Sequence, residues 1–297
     1  MAEYSEDAHK HVEAYASVTK KLGWRQQGPL DKDIACDVCR PKSNGEPNVH
    51  GVDALFEFDC PYSERPRLVL VDGKQYKMDS IGGKSVFLKW MKDLARAVEH
   101  LNGSRQALLT DRAIPEEVPL DIGVIAWDCP DWDRKRAVKW MKTAGETTLR
   151  REPAVLLLLS TRDHLSRMLT ISKFIEKHAD VQFAFHREGR HLQWSSTVPP
   201  EAIHSHFLMA RHRTDTGKLK VGALHFGHNA STIEARAIIH RFLSASPDFK
   251  RRHLWSTLPQ AQASRLGEYI ATECGRFSVP STSIKVKHTP ITLYQSR

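Results

Sequence analysis

The spacing of apolar residues changes along the chain, and each change marks an element. Val12, Ala16 and Leu22 can share one face of a helix from Ser5 to Leu22, and Gly23 supplies its stop. From Gln26 to Asn48 the chain is polar and rich in Pro and Gly, which predicts a loop with one short extended piece around Ile34. Strands are predicted at Gly51–Phe58 and Leu68–Asp72, with the two prolines and polar residues from Asp59 to Pro66 as the hairpin loop between them. In the first strand Ala54, Phe56 and Phe58 line one face, while Asp53, Leu55 and Glu57 occupy the other. In the second, Leu68-Val69-Leu70-Val71 is apolar on both faces, as a strand inside its sheet would be. A helix from Lys84 to Leu101 then ends at Asn102-Gly103.

Ala113–Pro119, with two prolines and two glutamates, reads as a linker, and strand-then-helix units follow it. Strands at Ile122–Trp127 and Val155–Leu159 are followed by helices near Asp133–Thr143 and His164–His178. Val181–Phe185 is the next strand, with a turn at Glu188-Gly189. Strands at His206–Ala210 and Leu219–Phe226, helices at Ser231–Leu243 and Ala261–Cys274, and a strand at Ser283–Lys287 complete the pattern. Ser160-Thr161 and Asn229 to Ser231 have the residue types of helix N-caps. Alternation of this kind predicts α/β layers, divided as residues 1–112 and 113–297.

Charge makes that division asymmetric. Residues 1–110 carry 16 Lys and Arg against 16 Asp and Glu, and residues 111–297 carry 28 against 19, so the second part holds the whole net charge of +9. It also holds 12 of the 16 histidines, which predicts a further rise in charge in mild acid. A basic part beside a neutral one points to a polyanion partner, most often a nucleic acid. With 40% hydrophobic residues the chain is expected to be globular, and no apolar run approaches the roughly 18 residues needed to cross a bilayer. The acidic start, Met1 to Asp7, resembles neither a signal nor a transit peptide, and five scattered cysteines do not make a disulfide framework. A cytoplasmic protein is expected.

The candidate chemistry lies in the first part. Asp72-Gly73-Lys74 directly follows the buried strand, where Asp72 and Lys74 would project to one side, and the hairpin can bring Asp53 beside them. Two carboxylates and an ammonium at the end of a buried sheet are costly unless they bind a metal or pair with one another. Asp53, a hairpin, and Asp72-Gly73-Lys74 after an apolar strand resemble the motif of the PD-(D/E)xK, restriction-endonuclease-like nucleases. Gly51-Val52 before the first acid and Gln75-Tyr76-Lys77 leading towards a helix are also similar to that superfamily, as is Glu13 on the first helix ahead of Leu22-Gly23-Trp24. Asp72 stands where Glu is commoner in the superfamily, and Val52 where Pro is.

The resemblance covers roughly residues 5–102. It implies a mixed sheet flanked by helices, with a separate C-terminal α/β domain. It implies Mg²⁺ or Mn²⁺ held by Asp53 and Asp72, with Glu13 as a further ligand or water-holder. Lys74 would orient the attacking water, and Gln75 or Lys77 would contact the nucleic-acid backbone; apart from the resemblance, Gly82-Gly83 set up the start of the next helix, where Lys84 would touch a nucleic-acid phosphate. DNA is favoured over RNA, in a defence or restriction role beside a helicase or ATPase partner, because the chain has no motor motif. The alternative is a turn formed by Asp72-Gly73, with Lys74 as a solvated lysine, in a non-catalytic nucleic-acid-binding or assembly subunit. Whether the protein forms homo-oligomers stays open.

Other groups have two readings. Cys36, Cys39, His50 and Cys60 have the donor types of tetrahedral zinc but lack the paired spacing of a zinc ribbon, so small, partly buried cysteines are the expected reading. Asp128, Asp131 and Asp133 cluster after the strand at Ile122–Trp127, where Asp131 or Asp133 is expected to cap a helix rather than the three to bind a second metal or phosphate. His204-Ser205-His206, on a strand, would place two rings on one face. Lys135-Arg136, Arg150-Arg151, Arg187, Arg190, Arg211, Arg213, Lys218, Lys220 and Lys250-Arg251-Arg252 supply the basic excess. With Trp132, Trp140, Trp194 and Trp255 they either converge to grip a phosphate backbone and stack bases, or form a dispersed basic surface over core tryptophans.

Overall fold

A computed structural model describes residues 5–36, 38–41, 43–46, 48–81, 83–103, 108, 114–115, 117–148, 155–185, 192–226, 231–245, 251–276 and 285–290; side chains are described for residues 12–143 and 155–272 within these ranges, except 240–245 and 251–252. The chain divides into two compact units, one of Met1–Asp59 and Arg65–Leu165, the other of Cys60–Glu64 and Ser166–Arg297.

The first unit contains α1 (Ser5–Lys21), β1 (Trp24–Gln26), β2 (Ile34–Cys36), β3 (Asn48–His50), β4 (Ala54–Cys60), β5 (Arg65–Gln75), α2 (Lys84–Gly103), β6 (Leu120–Asp128), α3 (Arg134–Thr148) and β7 (Leu156–Thr161). Its main sheet has the order β1-β4-β5-β6-β7. β1 runs antiparallel to β4, whereas β5, β6 and β7 are parallel, so the sheet is mixed. β5 is central, and its run from Leu68 to Val71 is buried on both faces. Alternation along β5 decides which helix each residue meets. Leu68 and Leu70 share a core with Phe87, Met91 and Leu94 of α2, while Gly73 lies against Val12 of α1. On the α1 side Trp24 packs edge-on to Tyr15 and Phe56.

The expected boundary at 112/113 is therefore displaced. β6 pairs with β5 from Leu68↔Leu120 to Gln75↔Asp128, and β7 pairs with β6, so both belong to the first sheet. What resembles the start of a new strand-helix series is the second half of a β5–α2–β6 crossover. Moving the boundary sharpens the charge division, because residues 166–297 carry 19 Lys and Arg against 9 Asp and Glu.

The second unit contains most of α4 (Arg162–Lys177), then β8 (Ala179–Phe185), β9 (Gln193–Ser195), a 3₁₀ turn at Pro200–His204, β10 (Phe207–Arg213), β11 (Leu219–His225), α5 (Thr232–Ala245), β12 (Arg251–Ser256), α6 (Gln260–Arg276) and β13 (Lys285–Pro290). Its sheet order is β13-β12-β11-β10-β8-β9, parallel across the first three strands and antiparallel beyond. α5 and α6 cover one face through Ile238, Ile239, Leu266 and Ile270; on the other, Phe174 of α4 packs on His212 and Trp255. The unit is thus an α/β layer structure. Among the described residues no helix is long and apolar enough to cross a membrane.

Two expected caps are found. Asp133 accepts the Lys135 and Arg136 amides at the start of α3. At the start of α4, where Ser160-Thr161 was the expected cap, the Thr161 amide instead donates to His164 Nδ1. Ser231 accepts the Glu234 amide as the N-cap of α5, while its hydroxyl donates to the Glu234 carboxylate. The Glu188-Gly189 turn, Asn229, Ala113, Glu116, Arg150-Arg151, Arg187, Arg190 and Lys250, and the side chains of Arg251 and Arg252, lie outside the described residues.

Candidate active site and a thiol-imidazole cluster

Asp72-Gly73-Lys74 lies within β5, which continues to Gln75, so the alternative of an Asp-Gly turn does not hold. Asp72 and Lys74 project together and form an ion pair, with the Lys74 ammonium 5.9 Å from the centre of the Trp90 ring on α2. Both side chains are about three-quarters buried, at 26% and 22% exposure, in a position where solvent screens charge poorly. Asp53 stands one residue before β4, not inside the predicted strand. Its Oδ2 accepts the Gly73 amide at 2.6 Å, which fastens the first acid to the middle residue of the motif. Burial, then the Asp72 carboxylate, push the Asp53 carboxyl up to about 6, against the opposing pulls of the Gly73 amide and Lys74. The arrangement thus concentrates more negative charge than the one lysine offsets, and its donors are hard oxygens, as Mg²⁺ or Mn²⁺ requires.

Gly73 itself carries a constraint that the sequence did not disclose. A Cβ there would lie 2.5 Å from Val12 Cγ2 and 3.3 Å from Asp53 Oδ2, so only glycine lets α1 close over β5 while Asp53 keeps its bond. Glu13 follows Val12 on α1 and is exposed. Among the described residues it does not join Asp53 and Asp72 in a group of donors within 4.8 Å of one another. Gln75 ends β5, Lys77 lies exposed just beyond it, and Lys84 is the exposed first residue of α2. The carbonyl of Tyr76, between Gln75 and Lys77, accepts the Trp127 indole N–H at 2.9 Å, so the segment leaving the motif is anchored to β6.

The three aspartates at and beyond the end of β6 have structural partners. Asp128 pairs with Arg162, Asp131 accepts the Met78 and Asp79 amides at 2.6 and 3.2 Å, and Asp133 caps α3. Of the tryptophans, Trp140 and Trp255 are buried and Trp132 packs against the core. Trp194 lies under the Arg211 guanidinium at 4.4 Å, and Arg211 also donates to Gln182. Arg136 covers Trp140 at 4.8 Å. Aromatic and basic side chains therefore meet at individual sites within each unit.

Histidines of the second unit depart from their expected behaviour. His204 falls in the 3₁₀ turn and His206 precedes β10, so they do not share a strand face. Burial, aided by Arg167, takes His204 down to about 4; burial, aided by the stacked His212 ring, does the same to His178. Burial also lowers His212 and His225. His178 and His204 therefore add no charge in mild acid.

Cys36, Cys39, His50 and His100 bring their donor atoms within 4.8 Å of one another. Cys60, the fourth residue expected for such a group, is buried at the end of β4 and is not a member. His100 takes its place from the last turn of α2, 61 residues beyond Cys39. A single histidine near a helix C-terminus reads in sequence as a favourable charge for the helix dipole, which is why it carries no metal signal by itself.

Residues 1–157 match the family model of the GAPS4 protein PD-(D/E)XK nuclease domain. No curated protein matches the chain. Since the family match spans more than half of its length and contains the whole Asp53, Asp72, Gly73, Lys74 arrangement, the chain belongs to the GAPS4 PD-(D/E)XK nuclease domain family.

Proposed function

We propose that the protein is a divalent-metal-dependent nuclease that cleaves DNA with the end of β5 and captures it with the basic second unit. The observation that carries this reading is the fastening of Asp53 to the Gly73 amide beside the Asp72–Lys74 pair. Asp53 and Asp72 would hold Mg²⁺ or Mn²⁺. A bound ion supplies Lewis-acid stabilisation of charge on the phosphoryl oxygens and helps to ionise water near neutral pH. Lys74, confined beside Trp90, orients the attacking water and offsets charge near the scissile phosphate. Gln75, Lys77 and Lys84 contact the backbone on either side. Glu13 serves as an outer water-holder at the α1 edge. A role in phage defence or restriction with a helicase or ATPase partner belongs to the same proposal.

The test is incubation of the full chain with plasmid DNA and Mg²⁺ or Mn²⁺, with and without chelator. Metal-dependent cleavage that is lost in Asp72→Ala and Lys74→Ala supports the reading. Undiminished cleavage in either variant contradicts the assigned roles, and the same plasmid breakdown in chelator contradicts the metal.

A further inference from the structure

We propose that Cys36, Cys39, His50 and His100 form a structural Zn²⁺ site separate from the carboxylate site. Cys36 ends β2, Cys39 follows at Cys-x-x-Cys spacing, His50 ends β3 and His100 comes from α2. Cys39 Sγ lies 3.1 Å from His100 Nδ1 and 3.4 Å from His50 Nε2, and Cys36 Sγ lies 3.9 Å from His100 Nδ1. In a tetrahedral centre with Zn–S of about 2.3 Å and Zn–N of about 2.0 Å, neighbouring sulfur and nitrogen ligands stand about 3.5 Å apart. The three observed edges bracket that value. Hydrogen bonding alone would have Cys39 donate its one proton to one imidazole and accept the N–H of the other, both weak bonds, and it gives no role to the approach of Cys36 to the same His100 nitrogen.

Four protein donors close the coordination shell, which is the signature of a structural rather than a catalytic zinc. Ligand softness separates this site from the first: thiolates and imidazoles select zinc, and carboxylates select Mg²⁺ or Mn²⁺.

The site supplies what the local fold lacks. β2 and β3 pair over three residues only, from Ile34↔His50 to Cys36↔Asn48, and a two-stranded ribbon of that size is not stable alone. Val38 and Val49 are exposed, and Ile34 and Cys36 are the buried side chains of the two strands. Zinc would staple the ribbon to α2, whose Phe87, Met91, Leu94 and Val98 are set in the core. The ribbon leads straight to Asp53, three residues after His50. The Asp31 and Lys32 amides, on the approach to β2, donate to the Asp53 and Val52 carbonyls at 2.9 and 3.1 Å. Zinc would thereby help to hold Asp53 in place; this consequence rests on the nuclease reading, whereas the metal site itself does not.

Metal content of the purified full chain after exhaustive dialysis tests the site directly, with a readout independent of cleavage. About one zinc per chain is expected, and Co²⁺ reconstitution of the wild type should give the visible absorption of a tetrahedral thiolate site. Cys39→Ser and His100→Ala should lose the zinc, while Cys60→Ser keeps it. The wild-type Co²⁺ spectrum keeps the proposal testable if those variants fail to fold. Wild-type protein without zinc and without a tetrahedral Co²⁺ spectrum would overturn the proposal, as would loss of zinc from folded Cys60→Ser. Absence of DNA cleavage with the zinc present would count against the nuclease reading alone.

Discussion

Burial pushes ionisable groups towards their neutral forms in both units, but the groups differ: a carboxylate beside a second carboxylate in the first, imidazoles in the second. In the first, burial and then the nearby Asp72 carboxylate drive Asp53 towards protonation, and the site remains one that a cation would relieve. In the second, folding drives His178, His204, His212 and His225 away from protonation. Its surplus of 19 Lys and Arg over 9 Asp and Glu in residues 166–297 thus depends little on these histidines near neutral pH. Charge in the first unit is local and tied to a strand end. In the second it is a surplus carried by the sequence as a whole, of the kind that holds a polyanion without reading it.

The sharpest way to break this comparison is to remove Asp72. If metal-assisted charge stabilisation contributes about 4 kcal/mol to the barrier, Asp72→Ala should slow cleavage about 1000-fold. Lys74→Ala should cost about 100-fold or more, since it removes one positioned donor near the developing charge. Single-turnover cleavage measures both, and neither change should alter thermal melting as much as a core substitution does.

Gly73→Ala tests packing. Its new Cβ meets Val12 and Asp53, and overpacking of this kind costs about 1–3 kcal/mol. A lowered melting temperature, partly restored by adding Val12→Ala, is expected. If Val12→Ala gives no recovery, the close approach of α1 is not the cause.

Acid should separate the units next. A histidine whose folded pKa is about 4 binds its proton more weakly folded than unfolded, so His178 and His204 contribute stability above about 6.5 that is lost as pH falls towards 4. Asp53 has the opposite sign: raised to about 6, its contribution is present below its ordinary value of 3.8 and is lost as pH rises through 6. Hydrogen exchange at pH 7 and pH 5 should therefore show the second unit losing more protection than the first. Equal losses would remove the contrast. The smallest effect is expected of Glu13→Gln, less than about 10-fold on cleavage, because this exposed residue does not join the two aspartates. A loss as large as that of Asp72→Ala would place Glu13 among the metal ligands.

Much of this was legible in the residues. Val12, Ala16 and Leu22 located α1, and the double-faced run Leu68 to Val71 located the central strand and the motif at its end. The boundary was not legible, because a parallel strand reached through a helix has the same local pattern whether it extends a sheet or starts one. β1, β3 and β9 are three residues each, too short to show a period. Gly73 and His100 escaped for a different reason: their roles depend on Val12 and Cys39, about 60 residues earlier in each chain position, and no local rule links such partners.

The central claim is that cleavage belongs to the first unit and capture to the second. Asp72→Ala in the full chain tests it most directly when DNA cleavage with Mn²⁺ and DNA affinity across a salt series are measured on the same preparation. Cleavage is expected to be lost while affinity and its salt dependence stay at wild-type values. Cleavage at the wild-type rate, or affinity lost together with cleavage, would contradict that claim.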